Sequence, residues 1–430
     1  MNASIANAPK MMLKIEMTFG VTPRPARKTA ARRAQAELRL LSGRRSAACP
    51  IIWNLPRDAA TATIGGMAAD DKLVPVDVLD TPYVVRVGAG LLDRIGQTLR
   101  PMTKSTRVGL VTDSNVGPLY AERVTASLKT AGFEVTLVTL PAGEAHKTLP
   151  GLMPVFDAML AARAERSTPL IALGGGVVGD MTGFAAATLL RGVPFVQVPT
   201  TLLSMVDASV GGKTGVDHPA GKNLIGAFHQ PLTVIIDPDA LKTLPRREFR
   251  SGLAECVKHD IIRDSFAFAE MERDIDFILT LDPHRLADLI AHNVAIKAQV
   301  VQNDPFENGE RAHLNFGHTF GHAIETISKF DYAHGEAVAL GMIAASRAAV
   351  EIGILKDSHA DKIKKLLDRV GLPTGRMTLD VDAIYDAMYS DKKVKAGKLR
   401  LVLPDRIGHV VIRDDVPTTV VKDALRSLTK

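Results

Sequence analysis

From Tyr83 to about residue 200 the chain alternates short apolar runs with amphipathic stretches. YVVRV (83–87), VGLVTD (108–113), EVTLVTL (134–140), PLIAL (169–173) and FVQVP (195–199) are short and rich in β-branched and aliphatic residues. Such runs read as strands. Helical periodicity fills 117–131 and 150–165, and strand–helix alternation implies a parallel sheet with helices on its faces. From about Glu248 the strand pattern nearly vanishes. EFRSGLAECVKHDII, HRLADLIAHNVAIKAQVV and EAVALGMIAASRAAVEIG read as helices, and LRLVLP…HVVI near 399–412 as a hairpin. The pattern predicts an α/β domain with a Rossmann-like parallel sheet over 67–245 and a mainly α-helical domain over 246–430. A site between the two is the natural expectation.

One helical segment breaks the usual division of polar and apolar faces. Arg311 and LNFGHTFGHAIE (314–325), placed on a helix at about 100° per residue, put Arg311, Asn315, His318 and His322 on one stripe. Phe316 and Phe320 fall near the opposite side, and Gly317 and Gly321 admit a neighbouring backbone. A cation, an amide and two imidazoles beside close packing read either as a solvated face or as the wall of a polar site. A His-x3-His pair alone does not decide for metal.

The chain has 430 residues and a formal charge of +6, and that charge is unevenly placed. Residues 1–66 carry eleven Lys/Arg and three acids, about +8, which leaves the remainder near −2. The basic balance therefore belongs to an Ala-, Arg- and Pro-rich extension and is poor evidence for nucleic-acid binding. Its composition resembles an organellar transit sequence, or an upstream start ahead of Met67; either way 1–66 is expected to be irregular. Deleting it is expected to remove any nucleic-acid affinity. Cys49 and Cys256 form no disulfide framework and suit a reducing, cytoplasmic setting. No apolar run is long enough to span a membrane.

Gly174-Gly175-Gly176-Val177-Val178-Gly179-Asp180 follows a predicted strand and opens an apolar helix, which satisfies G-x-G-x-x-G in its proper context. The ribose-binding acid usual about twenty residues on is missing, but Asp113 ends an earlier strand. These features suggest a nucleotide in a non-standard arrangement, against a merely structural glycine turn. Residues 204–231 form a Gly-rich stretch with Asp207, Lys213, Lys222 and Asn223, which suits an anionic ligand such as a phosphate ester. It lacks Walker spacing, and an exposed basic loop is the plainer alternative. Glu255 and Lys258 share a helix face. His334 opens another helix; with Glu255 and His318 it would make a His2Glu set, which spacing alone does not reveal.

GGGVVGDMTGFAAA, RGVPFVQVPTTLLSMVDASVGGKTGVD, GKNLIGAFHQP, AECVKH, LNFGHTFGHAIE, HGEAVALGM and DKKVKAGKLRLVLP together resemble the motifs of the 3-dehydroquinate synthase family, in order, from about residue 80 to the C-terminus. The resemblance implies an NAD- and zinc-dependent homodimer (cobalt being an alternative metal). It would turn a phosphorylated sugar acid, 3-deoxy-D-arabino-heptulosonate 7-phosphate, into 3-dehydroquinate and phosphate. It implies Glu255, His318 and His334 as metal ligands. For NAD it implies Asp113, Asn115, Glu144, Lys147, Gly175, Gly176, Val177, Val178, Gly179, Asp180, Thr200, Thr201, Lys213, Lys222, Thr243 and Leu244. Lys213, Asn223, Asn315 and His322 would hold phosphate, joined by Arg191 from the partner subunit. Lys297, Arg311 and one of Lys392 or Lys393 would hold the carboxylate, with Asp207 and Lys258 at hydroxyls. Another sugar-phosphate cyclase, or a metal-dependent polyol dehydrogenase of the same fold, is the alternative; Arg311 and Asn315 weigh against the first and the paired anion-binding sets against the second.

Overall fold

The computed structural model describes residues 68–429 except 69, 79–80, 306–308, 330, 391–393 and 396–397, and of 390, 394, 395 and 398 the backbone alone. The extension 1–66 and the pair Lys392 and Lys393 thus lie outside the described residues. All described residues belong to one compact unit, Ile52–Lys430.

Seven strands form the main sheet: β1 (Lys72–Val76), β2 (Tyr83–Val87), β3 (Arg107–Asp113), β4 (Glu134–Leu140), β5 (Leu170–Gly174), β6 (Phe195–Pro199) and, after the hairpin β7 (Lys213–His218) and β8 (Gly221–Phe228), β9 (Thr233–Ile236). The order is β1-β2-β9-β6-β5-β3-β4. Only the β1–β2 pairing is antiparallel. The chain steps from β3 outward to β4, then returns to lay β5 on the other side of β3. The order therefore reverses between β3 and β5, and ligands of open α/β sheets bind at the carboxyl ends of strands at such a point. Asp113 ends β3 there and Gly174 ends β5.

Helices α1 (Gly117–Thr130), α2 (Met153–Ala161) and α3 (Gly176–Thr188) cover the sheet. The helical half begins with α4 (Arg246–Arg263), α5 (Ser265–Leu279) and α6 (Pro283–Asn303), then α7 (His318–Ile327) and α8 (His334–Glu351). One apolar cluster runs unbroken from sheet residues such as Val85, Val198 and Ile235 into Leu253 and Val257 of α4, Phe320 of α7 and Val338 of α8. A second, smaller cluster under α2 and α3 holds the other sheet face through Val111, Leu170 and Phe195. The hairpin expected near 399–412 forms from Leu401–Arg406 and His409–Arg413.

Two expectations need correction. Arg311 and Asn315 do not share a helix with His318 and His322. Glu310–Asn315 is a separate 3-10 turn, and the chain kinks at Gly317, whose φ of +77° is left-handed. A side chain there would meet Met342 Cγ at 2.6 Å, so glycine satisfies both the turn and the packing. The Gly-rich stretch 204–231 is not simply a loop either: most of it is the β7–β8 hairpin.

Candidate active site

Of the residues expected to hold a nucleotide, Asp113 and Asn115 lie at the end of β3, Gly175–Asp180 after β5, and Thr200 and Thr201 after β6. Gly175 is extended and precedes α3 without a side-chain cap, so the helix presents unpaired backbone N–H groups. Gly179 sits so close to β6 that a Cβ would lie 2.7 Å from Gln197 Oε1, which draws α3 onto the strand tips. Asp113 Oδ1 accepts the N–H groups of Asn115 and Val116, both at 2.8 Å, fixing the turn after β3. Lys147 is buried; its Nζ donates to Asp180 Oδ2 and Asn223 Oδ1, both at 2.6 Å. Burial opposes that charge, but Asp180 outweighs it and keeps Lys147 above the ordinary lysine range. Asn223, with φ +54°, thereby ties the β7–β8 hairpin to the nucleotide side. Lys222 Nζ lies 3.5 Å from Glu144 Oε1. Thr201 bonds Ser204, whereas the buried Thr200 Oγ1 has no partner. Thr243 Oγ1 lies 2.6 Å from Tyr120 OH on α1, and Leu244 follows it. Bare helix amides after β5 and an orphaned hydroxyl at the end of the adjacent β6 fit a dinucleotide.

The second group lies on three helices. Glu255 comes from α4, His318 opens α7 and His334 opens α8. Glycine sets their separation: a side chain at Gly335 would overlap the Ser251 carbonyl, and Gly335 N–H donates to Ser251 Oγ at 2.9 Å. Glu255 Oε1 lies 3.6 Å from His318 Nε2 and 3.6 Å from His334 Nε2. Glu255 is fully buried, and Oε1 has no hydrogen-bond partner. Tetrahedral N/O coordination at about 2.0–2.1 Å separates ligand atoms by about 3.4 Å, so these donors fit a divalent cation. Lys258 Nζ bonds the other oxygen, Oε2. Burial would raise the Glu255 carboxyl, but Lys258 and both imidazoles hold it well below its ordinary range. Burial, aided by Lys258, keeps His318 neutral. His334 sits between Glu255 and Glu325, and against burial the two carboxylates lift its ring to about 10. Groups that stabilise a positive ring also favour a cation beside it.

The third group lines the same wall. Arg311, 2 % exposed, donates from Nη1 to the Pro305 carbonyl at 2.7 Å, and its backbone N–H donates to Asp304 Oδ2 at 3.0 Å. Lys297 Nζ donates to the Asp207 carbonyl at 2.7 Å and to Asp207 Oδ1. Burial, with the Arg311 and Lys258 charges, outweighs Asp207 and brings Lys297 down to about 8; Asp207 is held low by Lys297 and Lys258 despite burial. His322 packs against His318 with ring centroids 5.3 Å apart. Lys213 opens β7. Arg191 is exposed on the turn at the far end of α3, about 20 Å of helix from Gly176, so it does not join this chain's own site.

The sequence reading passed over Glu325, His259 and Asn293. His259 is fully buried beside Glu255, with Nδ1 3.0 Å from Asn293 Oδ1. Among the described residues two other donor sets are as compact, His322–Glu325–His334 and Asp207–Glu255–His259. In the latter the Lys258 and Lys297 ammonium groups already occupy the carboxylates, which disfavours a cation.

The architecture is that of the dehydroquinate synthase-like cyclases. The 2-epi-5-epi-valiolone synthase of Streptomyces hygroscopicus subsp. jinggangensis, solved with NAD+ and Zn2+, matches with TM-score 0.76 and 30% identity over 82% of this chain and 98% of that one. A 2-deoxy-scyllo-inosose synthase complexed with carbaglucose-6-phosphate, NAD+ and Co2+ matches with TM-score 0.76 and 26% identity, over 83% and 99%. Residues 137–251 match the 3-dehydroquinate synthase N-terminal family and 252–394 its C-terminal counterpart. The 3-dehydroquinate synthase of Nostoc punctiforme is 47% identical over 361 residues, 83% of this chain and 99% of that protein. The chain belongs to the 3-dehydroquinate synthase family.

Proposed function

We propose that this chain is a 3-dehydroquinate synthase, a carbon–oxygen lyase that releases phosphate from 3-deoxy-D-arabino-heptulosonate 7-phosphate and closes the carbocycle of 3-dehydroquinate. The carrying observation is the Glu255–His318–His334 donor set, with its orphaned Oε1, on one wall with the cationic Arg311 and Lys297. Identity of 47% to a named dehydroquinate synthase, against 26–30% to the solved cyclases of other products, favours this substrate over theirs.

Glu255, His318 and His334 would hold one divalent metal, zinc or cobalt, whose chemistry is Lewis-acid polarisation of a substrate oxygen. Asp113, Asn115, Glu144, Lys147, Gly175–Asp180, Thr200, Thr201, Lys222, Thr243 and Leu244 would hold NAD, which accepts and returns a hydride and so is not consumed. The chain's own side chains then position and neutralise. Arg311 and Lys297 bind the substrate carboxylate at one end; Lys213, Asn223, Asn315 and His322 bind the phosphate at the other. Two anion grips at opposite ends fix the sugar as a near-attack conformer, which suits an elimination and an intramolecular closure. Lys258, anchored on Glu255, and Asp207, anchored on Lys297, face the hydroxyls. Asn223 joins both halves of the reaction, since it also holds Lys147.

Homodimerisation, with Arg191 reaching the partner's phosphate grip, a domain division near residue 245 and a cytoplasmic setting complete the reading. Among the described residues no helix is long and apolar enough to cross a membrane. The test is product identity: the full chain, NAD and zinc with the heptulosonate phosphate should yield dehydroquinate, stop on chelation and resume with zinc or cobalt. Phosphate release without a ring product would contradict the reading.

A further inference from the structure

Glu325 lies on α7, one turn after His322, and is 9 % exposed. Its Oε1 is 3.4 Å from His334 Nδ1, while Nε2 of the same ring faces Glu255 Oε1 at 3.6 Å. One imidazole is thus bracketed by two carboxylates from different helices. We propose that Glu325 is a positioning residue of the metal site, accepting the His334 Nδ1–H so that the Nε2 lone pair turns toward Glu255 and His318. The inference rests on the metal reading above and deepens it.

The chemistry is that of tautomers. A neutral imidazole has one N–H and one lone pair, and the partner at one nitrogen decides which is which. An ionised carboxylate has no hydrogen to give, so at Nδ1 it only accepts. His318 reaches the same tautomer through a backbone carbonyl: its Nδ1 lies 3.1 Å from the Phe316 oxygen. Both rings therefore direct Nε2 inward by separate devices. The carboxylate adds a negative charge behind His334, which makes Nε2 a more basic ligand than a carbonyl partner would. The rival arrangement puts a cation among His322, Glu325 and the Nδ1 side of His334. That choice would leave Glu255 Oε1 buried and unpartnered, which is costly for a charged oxygen.

The full chain, Glu325→Gln and Glu325→Ala, each stripped of metal and titrated with Co2+ against a competing chelator, separate these cases. We expect one cobalt per chain in all three proteins, each with the circular dichroism spectrum of the folded chain before metal is added. Affinity should fall about ten- to a hundredfold in Glu325→Ala. Glu325→Gln should fall less, because its amide oxygen still accepts from Nδ1–H without the charge, and the cobalt absorption bands should shift in both. Unchanged affinity and spectrum in Glu325→Ala would overturn the inference. So would two cobalt ions per wild-type chain with one lost in the variants, since Glu325 would then be a ligand. If wild type binds no cobalt, or Glu255→Gln binds it as tightly as wild type, the metal reading itself fails and takes this inference with it.

Discussion

Glu255 has two oxygens with different duties: Oε2 is bonded by Lys258, while Oε1 faces two imidazole nitrogens at 3.6 Å and has no hydrogen-bond partner. Glu255→Gln puts an amide where the charge is needed. We expect loss of the bound metal, read by elemental analysis, and a fall in kcat of about 10³-fold, corresponding to several kcal/mol of lost polarisation. Lys297 is the residue whose charge depends on working pH. Its folded pKa, about 8, lies below the ordinary 10.5 because burial and neighbouring cations outweigh Asp207. It is therefore cationic below about 8 and loses its proton above. KM for the substrate should rise about tenfold per pH unit above that point, and Lys297→Arg should flatten the rise; a KM indifferent to pH from 7 to 9.5 would contradict this. At this scale much was legible. The histidines, Arg311 and Asn315 stood out because polar groups on an apolar segment need a reason. Glu325 did not, because an acid on a helix reads as solvated until folding brings His334 to it.

The elements explain how residues distant in sequence meet. The sheet strands were legible from their apolar runs, and EVTLVTL, at the sheet edge, and the buried FVQVP occupy the predicted positions. β1, β9 and the β7–β8 hairpin were not. KLVPV carries a proline inside the run, TVII has only four residues, and the hairpin's glycines mimic a loop while serving close backbone pairing: a Cβ on Gly215 would lie 2.6 Å from the Ile225 carbonyl oxygen. The segment around Gly317 misled for a related reason. Its glycine admits a neighbouring backbone, as read, but does so at a positive φ that caps the start of α7 and separates it from the turn before. Packing of α4 against α8 makes a sharper prediction. Gly335→Ala forces its methyl into the Ser251 carbonyl and should cost about 1–3 kcal/mol of stability by overpacking, seen as a lower denaturation midpoint. Because His334 is the next residue, cobalt affinity should fall too; full metal binding in that variant would argue against helix spacing as the control.

For the whole molecule, one continuous core joins sheet and helices, so stability and site geometry are linked. Asp260 and His292, 3.4 Å apart, lie in that linkage between α4 and α6. Burial lifts Asp260 from 3.8 to about 6; His292, despite burial, is raised by Asp260, with Asp264 and Glu270 adding to it. A raised folded pKa means the native state holds the proton more tightly. The Asp260 contribution is thus present below about 4 and lost as pH rises through about 6, and that of His292 is lost later, above its unfolded 6.5. Calorimetry should show the Tm of the wild type falling relative to that of Asp260→Asn as pH rises from 5 to 8. Assembly was the least legible feature, since Arg191 is exposed and stands apart from this chain's own site. If it serves a partner, Arg191→Ala and His318→Ala should each be inactive alone, yet mixtures that exchange subunits should regain up to about a quarter of wild-type activity, one intact site per mixed dimer. No regain would place Arg191 outside the chemistry.

The central claim is a hydride that is borrowed and returned at a metal site flanked by two anion grips. It is tested most directly by supplying the full chain with zinc, heptulosonate phosphate and about a hundredth as much NAD, and following phosphate and NADH absorbance together. The account predicts complete phosphate release with no net NADH. Release that stops at one phosphate per NAD, or steady NADH without phosphate, would contradict it.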